Sequence, residues 1–207
     1  MLTRVRSKEV SVRAPERPRG KDARSRIVNA AAELFYFGGV RATGLAEVAA
    51  ASGTGKGQMY HYFDSKQDLV ASVVGVQIDQ TLDPQVERLI TMSTAEDLRA
   101  WAAEAVGNHQ GSETIRCPLG SLVVEISSSY PALQQDLRGG FQRWQEMLET
   151  ALGRLQTSGH IRRDIPPADL AQLLLCAYEG GVTMSEVNGS TRPLQIALNA
   201  AVDYALS

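Results

Sequence analysis

Apolar residues recur along the chain with the period of an α-helix from about residue 22 to the C-terminus. The first predicted helix runs from about Asp22 to Phe37 and ends at paired glycines. Stretches with the alternation of a β-strand are not evident. The pattern predicts an all-α fold of about nine helices, the fourth continuing towards Thr81 and the ninth ending near Leu206. The predicted starts of helices two to five follow Thr43, lie at about Lys56, follow Asp64 or Ser65, and follow Thr94. Those of helices six to nine lie at Cys117-Pro118, Pro131 and Pro166-Pro167, and after Thr191-Arg192-Pro193.

Two of these helices are short and lie close together, between residues 43 and 63. Val48 and Ala49 mark the apolar side of the first, Gly53 permits a tight turn, and Met59 and Phe63 mark the apolar side of the second. Two short helices joined by a glycine turn are typical of a helix-turn-helix, whose second helix enters the major groove of DNA.

The polar side of the second short helix carries candidate base contacts. With Met59 inward, helical geometry places Gly57 and His61 near the opposite face and Gln58 and Tyr60 on its flanks. A glutamine side chain can pair with adenine through two hydrogen bonds, and Gly57 allows a close approach to the groove. Lys56, at the helix start, is predicted to reach a guanine edge or a phosphate.

The run Gly-Thr-Gly-Lys-Gly-Gln-Met-Tyr-His-Tyr-Phe at 53–63, followed by Asp-Ser-Lys-Gln-Asp-Leu at 64–69, resembles the signature of the TetR family of bacterial transcription regulators. The resemblance implies a homodimer that binds double-stranded operator DNA through a three-helix head carried on a body of about six helices. It further implies phosphate contacts from Thr43, Tyr60, Tyr62 and Lys66. The sequence departs from the family pattern in having Tyr62 where histidine is frequent, and Gly55 where serine or threonine usually caps the helix.

Charge divides the chain in a way that agrees with a DNA-binding head. Residues 1–66 contain 12 Lys and Arg against 6 Asp and Glu, whereas residues 67–207 contain 9 against 17. A basic first third favours a polyanionic partner for that segment alone. We therefore expect a basic disordered arm over residues 1–21, a helix-turn-helix domain over 22–66, and a ligand-binding and dimerisation domain over 67–207.

The eighth predicted helix is apolar on nearly all sides, and the ninth carries a second apolar stripe. A helix with no polar face is buried on all sides, which indicates one contact with the core and another with a partner chain. A purely internal core is the alternative. TetR-like proteins pair their last two helices in a dimer, so the predicted interface comprises Leu174, Tyr178, Gly181, Leu194, Ala197, Ala201 and Tyr204.

The middle helices contain aromatic, sulfur-bearing and isolated polar residues of the kind that line apolar ligand pockets. Such stripes are also ordinary core, and only the family resemblance favours a small, largely apolar effector. The run Cys-Pro-Leu-Gly at 117–120 further resembles one TetR subgroup. The predicted pocket residues are Trp101, His109, Cys117, Leu122, Ile126, Trp144, Met147, Leu148, Cys176 and Glu179.

Several other functional classes lack support. Runs of about 18 apolar residues, as needed to span a membrane, are missing, and the basic N-terminus has no apolar core of a secretory signal. We therefore expect a cytoplasmic protein without membrane contact. The histidines and cysteines are not spaced as metal ligands, and no catalytic arrangement is evident, so neither a cofactor nor a metal is expected. The function that the family resemblance implies is a dimeric repressor that a small, largely apolar effector releases from a palindromic operator. The alternatives to it are a constitutive or activating regulator without an effector, and a helical enzyme or binding module.

Overall fold

A computed structural model describes residues 18–112 and 114–207, and within these ranges it contains nine α-helices and no β-strand. The predicted all-α fold is therefore confirmed. A short 3-10 turn at Pro131–Leu133 precedes the seventh helix. The helices are α1 (Pro18–Gly38), α2 (Leu45–Ala51), α3 (Lys56–Tyr62), α4 (Lys66–Thr91), α5 (Ala95–Gly107), α6 (Pro118–Ser129), α7 (Gln134–Thr157), α8 (Pro167–Asn188) and α9 (Arg192–Leu206).

Residues with known capping preferences begin several of these helices. The Ser65 hydroxyl accepts a hydrogen bond from the Asp68 N–H at the start of α4, and Thr94 accepts from the Asp97 N–H at the start of α5. Pro118 occupies the first turn of α6, where a missing N–H costs nothing. Single residues therefore predict where these helices begin.

Helix α4 connects the two parts of the molecule. Helices α1, α2 and α3 pack together as a head, and α4 contacts α1 at this end. Towards its other end α4 contacts α6 and α7, while α8 packs against both α7 and α9, and α5 packs against α9. The buried apolar side chains form one cluster that runs from the head into the body. The boundary predicted between residues 66 and 67 thus falls at the start of a shared helix.

Helix α1 begins at Pro18, four residues before the predicted start, so residues 18–21 are helical and do not belong to a disordered arm. Proline is favourable in a first helical turn, which explains the earlier start. The remainder of the predicted arm, residues 1–17, lies outside the described residues.

Helix α4 continues ten residues past the predicted end at Thr81 and contains Pro84. A proline inside a helix removes one backbone donor and disturbs the preceding turn. The side chain of Gln85 donates a hydrogen bond to the Thr81 carbonyl over 2.7 Å, which satisfies a backbone acceptor beside this turn. In the described ranges, no helix combines the length and the apolar character needed to cross a membrane.

Candidate nucleic-acid interface and body cavities

The helix-turn-helix has the geometry that the sequence predicts. Helix α2 ends at Ala51, and Gly53 adopts a φ of +64°, in the left-handed region that favours glycine. The Thr54 N–H then donates to the Ala49 carbonyl over 2.9 Å, which closes the turn before α3. Met59 and Phe63 are buried against the head core. The inward side of α3 is therefore confirmed.

The opposite side of α3 is open to solvent. The five residues that are predicted to face DNA from α3 are all exposed, and we call them the reading face. Tyr62, at the helix end, is half-buried, and its ring lies edge-on to the His61 ring. A Cβ atom built at Gly57 would meet no atom of the described residues within 4 Å, so the space beside this position is open in the described part of the chain. The exposed residues of this reading face are Lys56, Gly57, Gln58, Tyr60 and His61.

Thr43 does not belong to the exposed surface. Its side chain is 3% exposed, and its hydroxyl donates to the Gly39 carbonyl over 2.9 Å. The predicted phosphate contact is therefore wrong for this side chain, because its only donor is already used inside the α1–α2 turn. Gly44, not Thr43, is the cap residue of α2.

Arg41 is a candidate phosphate contact that the sequence analysis missed. It is exposed in the same turn, and its carbonyl accepts a hydrogen bond from the Lys66 ammonium over 3.4 Å. Two basic residues from different elements thus lie side by side at the edge of the head. The sequence signal was available, since Arg41 is the basic residue of the turn that precedes α2.

The body contains a polar cavity of about 280 Å³ where α1, α4, α8 and the loop before α6 meet; we call it the junction cavity. Its walls are rich in amides and hydroxyls, and Arg116 is the one residue with a fixed charge among those lining residues that the structure describes. The described lining residues are Tyr36, Gln77, Gln80, Thr81, Pro84, Gln85, Asn108, His109, Ser112, Thr114, Arg116, Pro118 and Tyr178.

A second, small cavity of about 50 Å³ lies between Trp101, Trp144 and Tyr178, and we call it the Trp pocket. This volume holds only one or a few water molecules. Pro84, Gln85, Asn108 and Tyr178 line both the Trp pocket and the junction cavity. The two cavities therefore share a wall.

Burial affects the protonation of two side chains that line these cavities. His109 Nε2 lies 3.0 Å from the Tyr178 hydroxyl, with both residues buried. Burial lowers the pKa of the His109 imidazole and raises the pKa of the Tyr178 phenol, since each charged form would be poorly solvated. Both side chains are thus held neutral. Trp144 Nε1 is buried and, among the described residues, has no hydrogen-bond acceptor.

The predicted pocket residues are distributed over several places. Trp101 and Trp144 line the Trp pocket and His109 lines the junction cavity, whereas Cys176 and Glu179 line a separate surface groove of about 250 Å³ between α7 and α8. None of these three cavities is lined by Met147, which is half-buried, or by the fully packed side chains Cys117, Leu122, Ile126 and Leu148. A single apolar pocket formed by all ten residues is therefore not what the structure shows.

Cys117 and Glu179 form a buried contact between α6 and α8. Burial, together with the nearby Glu179 charge, raises the pKa of the Cys117 thiol well above its usual value. Burial also raises the pKa of Glu179, against the opposing effect of a hydrogen bond from that thiol. A Cβ atom at Gly120 would lie 2.3 Å from a Glu179 carboxylate oxygen, so the two helices touch here. Cys176, in contrast, is exposed.

Five of the seven predicted dimer residues are buried within their own chain, namely Leu174, Tyr178, Gly181, Leu194 and Ala201. They pack inside the body, so they cannot face a partner. Ala197 is half-buried, and Tyr204 is exposed. The exposed apolar or small residues follow one stripe on each of the last two helices, which we call the outer face of α8 and α9: Leu173, Cys176, Gly180, Met184, Val187, Ile196, Ala200 and Tyr204.

Direct contacts tie the head to the body. Arg116 donates to the Tyr36 carbonyl of α1 over 2.7 Å and forms an ion pair with Glu186 of α8. Glu125 of α6 accepts a hydrogen bond from the Arg41 N–H in the α1–α2 turn over 3.0 Å. The two contacts between head and body join residues 80 and 84 positions apart in sequence, and no helical periodicity could have predicted them.

The head and the body each match a described protein family. Residues 27–73 match the bacterial regulatory proteins of the tetR family, and residues 94–201 match the tetracyclin repressor-like C-terminal domain. In the described part of the chain, no group of three or more potential ligand side chains is placed to hold a metal ion.

Individual relatives cover nearly the whole chain. The HTH-type transcriptional repressor DhaR of Mycobacterium sp. (strain GP1) is 25% identical over 88% of this chain and 92% of its own length. The HTH-type transcriptional regulator LmrA of Bacillus subtilis (strain 168) is 24% identical over 84% of this chain and 91% of its own length.

Solved structures share the fold. A TetR family regulator from Agrobacterium tumefaciens has a TM-score of 0.81 at 18% identity, with 91% of this chain and all of that chain aligned. The reduced form of NemR from E. coli has a TM-score of 0.80 at 21% identity, over 87% of this chain and 95% of that chain. With both family matches in register with the observed head and body, the chain belongs to the tetR family of bacterial transcription regulators.

Proposed function

We propose that this regulator is a homodimeric repressor that binds a palindromic operator and leaves it when a small molecule binds the body. The observation that carries the DNA-binding part is the exposed polar face of α3, with Lys56 and Gln58 unobstructed above a buried Met59. Basic residues at Arg41 and Lys66 flank this face and can fix its position on phosphates. The name of DhaR as a repressor supports the negative sign of regulation.

The two parts of the chain have separate roles in this proposal. Residues 22–66, completed by the first turns of α4, form the DNA-binding domain, and the following residues up to 207 bind the effector and the second chain. Residues 1–17, which precede α1, add phosphate or minor-groove contacts. The Cys-Pro-Leu-Gly run at 117–120 supports membership of the subgroup that it resembles. The protein acts as a cytoplasmic binder of DNA, and not as an enzyme.

The dimer forms through the outer face of α8 and α9. Its exposed residues on α8 are spaced three or four positions apart, from Leu173 to Val187, so they make one continuous apolar stripe along the helix. Large contiguous apolar patches on a soluble protein mark interaction sites. A two-fold dimer through this face would present two α3 helices to successive major grooves, about 34–36 Å apart.

Selection of genomic DNA fragments by the purified protein tests this function. The expected product is a set of inverted repeats with half-sites about one helical turn apart. Direct repeats or single half-sites would contradict the two-fold dimer, and the absence of any selected sequence would contradict specific DNA binding. A regulator without an effector is the second candidate, favoured by the dense packing around Leu122, Ile126 and Leu148.

A further inference from the structure

Arg116 holds the last turn of α1 in place. One of its terminal nitrogens donates to the Tyr36 carbonyl over 2.7 Å, and the Tyr36 hydroxyl in turn donates to the Arg116 carbonyl over 3.0 Å. The guanidinium also lies 5.8 Å from the centre of the Tyr36 ring. Because a cation near the C-terminal end of a helix stabilises it, this contact fixes the end of α1 from which the chain continues to α2.

The same guanidinium is part of a cavity wall. Arg116 lines the junction cavity and, among the described lining residues, is the one with a fixed charge. A guanidinium has five N–H groups, and three of these have acceptors among the described residues: Nε and one terminal nitrogen bind Glu186, and the other terminal nitrogen binds Tyr36. Two N–H groups are left for a further acceptor. The side chain is 31% exposed, so an incoming molecule can reach it.

Tyr178 lies in the wall that the junction cavity shares with the Trp pocket and gives this wall an aromatic surface. The Tyr178 ring contacts the Trp144 ring at a centroid distance of 5.1 Å, and the Trp pocket lies behind them. Trp144 Nε1 is a buried donor without an acceptor among the described residues, which is a costly state unless a ligand or water accepts from it. The junction cavity thus has a cation in one wall, an aromatic ring in another and a spare indole donor in the pocket next to it, and these groups fit a flat molecule that ends in a carboxylate.

The size of the junction cavity restricts the ligand further. Its volume of about 280 Å³ lies just below the usual range of about 300–1,000 Å³ for ligand sites. A ligand of one or two rings is therefore the appropriate size. The amide and hydroxyl side chains on the walls would hydrogen-bond a polar substituent, and not a long alkyl chain.

Resting on the effector-released function proposed above, we propose that the effector is a small aromatic carboxylate and that Arg116 is both its anchor and the contact through which it acts. The carboxylate first binds the two N–H groups that are left and then displaces Glu186, because two carboxylates sharing one guanidinium repel each other. Turning towards the cavity, Arg116 gives up the Tyr36 carbonyl. The end of α1 is thereby freed, and the head loses the orientation that matches the operator.

The experiment compares acids with their neutral amides on the intact protein. The probes are benzoate with benzamide, salicylate with salicylamide, and indole-3-acetate with indole-3-acetamide. Binding is followed by the fluorescence of Trp101 and Trp144, which are the two tryptophans of the chain. Release from the operator is measured as the loss of binding to the DNA fragments that the protein selects. We expect at least one acid to act on both signals at a concentration at least about tenfold lower than its amide.

Three substitutions test the assignment to Arg116. Arg116→Gln should abolish the preference for the acid over the amide, and Arg116→Lys should retain part of it. Glu186→Gln removes the competing carboxylate, so it should lower the half-effective concentration of the acid several-fold. Arg143→Gln, which breaks comparable surface ion pairs with Asp79 and Asp83, is the control and should leave the preference unchanged. Circular dichroism of each variant verifies folding.

Two results would overturn the proposal. One is the absence of any response to all three acids, and the other is an acid preference that persists in folded Arg116→Gln protein. Fluorescence titration requires no DNA, so a protein that binds the acids through Arg116 but selects no DNA would contradict the proposed function and not the ligand class. Should Arg116→Gln fail to fold, the other two variants decide the question: the acid should act less strongly on Arg116→Lys and more strongly on Glu186→Gln than on the unsubstituted protein.

Discussion

Leu194 of α9 lies directly against the backbone of Gly181 in α8: a Cβ atom built at residue 181 would come within 2.8 Å of the Leu194 Cα atom. This contact sets the closest approach of the last two helices. A neighbouring backbone atom cannot move aside as the end of a flexible side chain can, so the position tolerates only glycine.

Gly181→Ala should therefore destabilise the protein by about 1–3 kcal/mol, the usual cost of overpacking a tight contact. The matched control is Gly75→Ala in the exposed middle of α4, where a Cβ atom would meet nothing within 4 Å. That substitution should instead stabilise the protein by up to about 1 kcal/mol, because alanine favours the helix. Chemical denaturation measures both. Equal effects of the two substitutions would show that α8 and α9 are farther apart.

Two substitutions on the head separate base reading from phosphate binding. Gln58→Ala should relax the preference at one base pair of each half-site by about 1–3 kcal/mol. Lys66→Ala should weaken binding to all sequences alike. It should also reduce the slope of log affinity against log salt concentration by about one for each head. Competition binding over a series of operator variants and salt concentrations makes the comparison. Unchanged specificity of the Gln58→Ala variant would contradict the assignment of α3 to the major groove.

The outer face of α8 and α9 provides a test of the dimer. Val187 is 77% exposed and lies in this face, whereas Ile90 is 67% exposed at the far end of α4. Val187→Asp should raise the dimer dissociation constant at least about a hundredfold, because an unpaired carboxylate would be buried between the chains. Ile90→Asp is the control and should sediment like the unsubstituted protein. Identical sedimentation of both variants would place the dimer interface elsewhere.

His109 predicts a pH dependence of stability. Burial lowers its pKa in the folded protein below the value of about 6.5 that it has when unfolded. Above pH 6.5 the residue is neutral in both states and stability is complete. As the pH falls below 6.5, the unfolded chain binds a proton more readily, so stability declines through the folded pKa.

The measurement is the thermal midpoint between pH 7.5 and pH 5. His109→Gln keeps a hydrogen-bonding group near Tyr178 but cannot titrate, so it should lose less stability on acidification than the unsubstituted protein. His160→Gln, at an exposed position, is the control and should follow the unsubstituted protein. An unchanged slope in His109→Gln would mean that the imidazole binds protons equally in both states.

The helix-turn-helix was the most predictable part of the molecule, because its determinants are local. Gly53 is needed for the left-handed turn, and Met59 and Phe63 are four residues apart on one side of α3. Given an inward Met59, helical geometry determines which residues face outward. The exception is Thr43, whose hydroxyl finds an acceptor inside the turn, a detail that depends on the path of the chain back from Gly39.

The cavities and the dimer face were predictable only in outline. Periodicity indicates which side of a helix faces the core, but it does not distinguish a packed residue such as Ile126 from a cavity wall such as His109. The sequence of an evenly apolar helix such as α8 likewise does not indicate which residues face outward. The predicted dimer interface therefore includes Leu174, which is buried, and omits Leu173 and Val187, which are exposed. These distinctions depend on how helices from distant parts of the chain pack together.

The contact between Glu125 and the Arg41 N–H has a consequence for genetics. A body residue completes the hydrogen bonding of a turn in the head, beside Gly39 with its positive φ of +85°. In a selection for cells that have lost control of the target promoter, we therefore expect alleles at Glu125 alongside those in α3. Such alleles would keep normal protein levels, and a second-site suppressor in the α1–α2 turn would restore control.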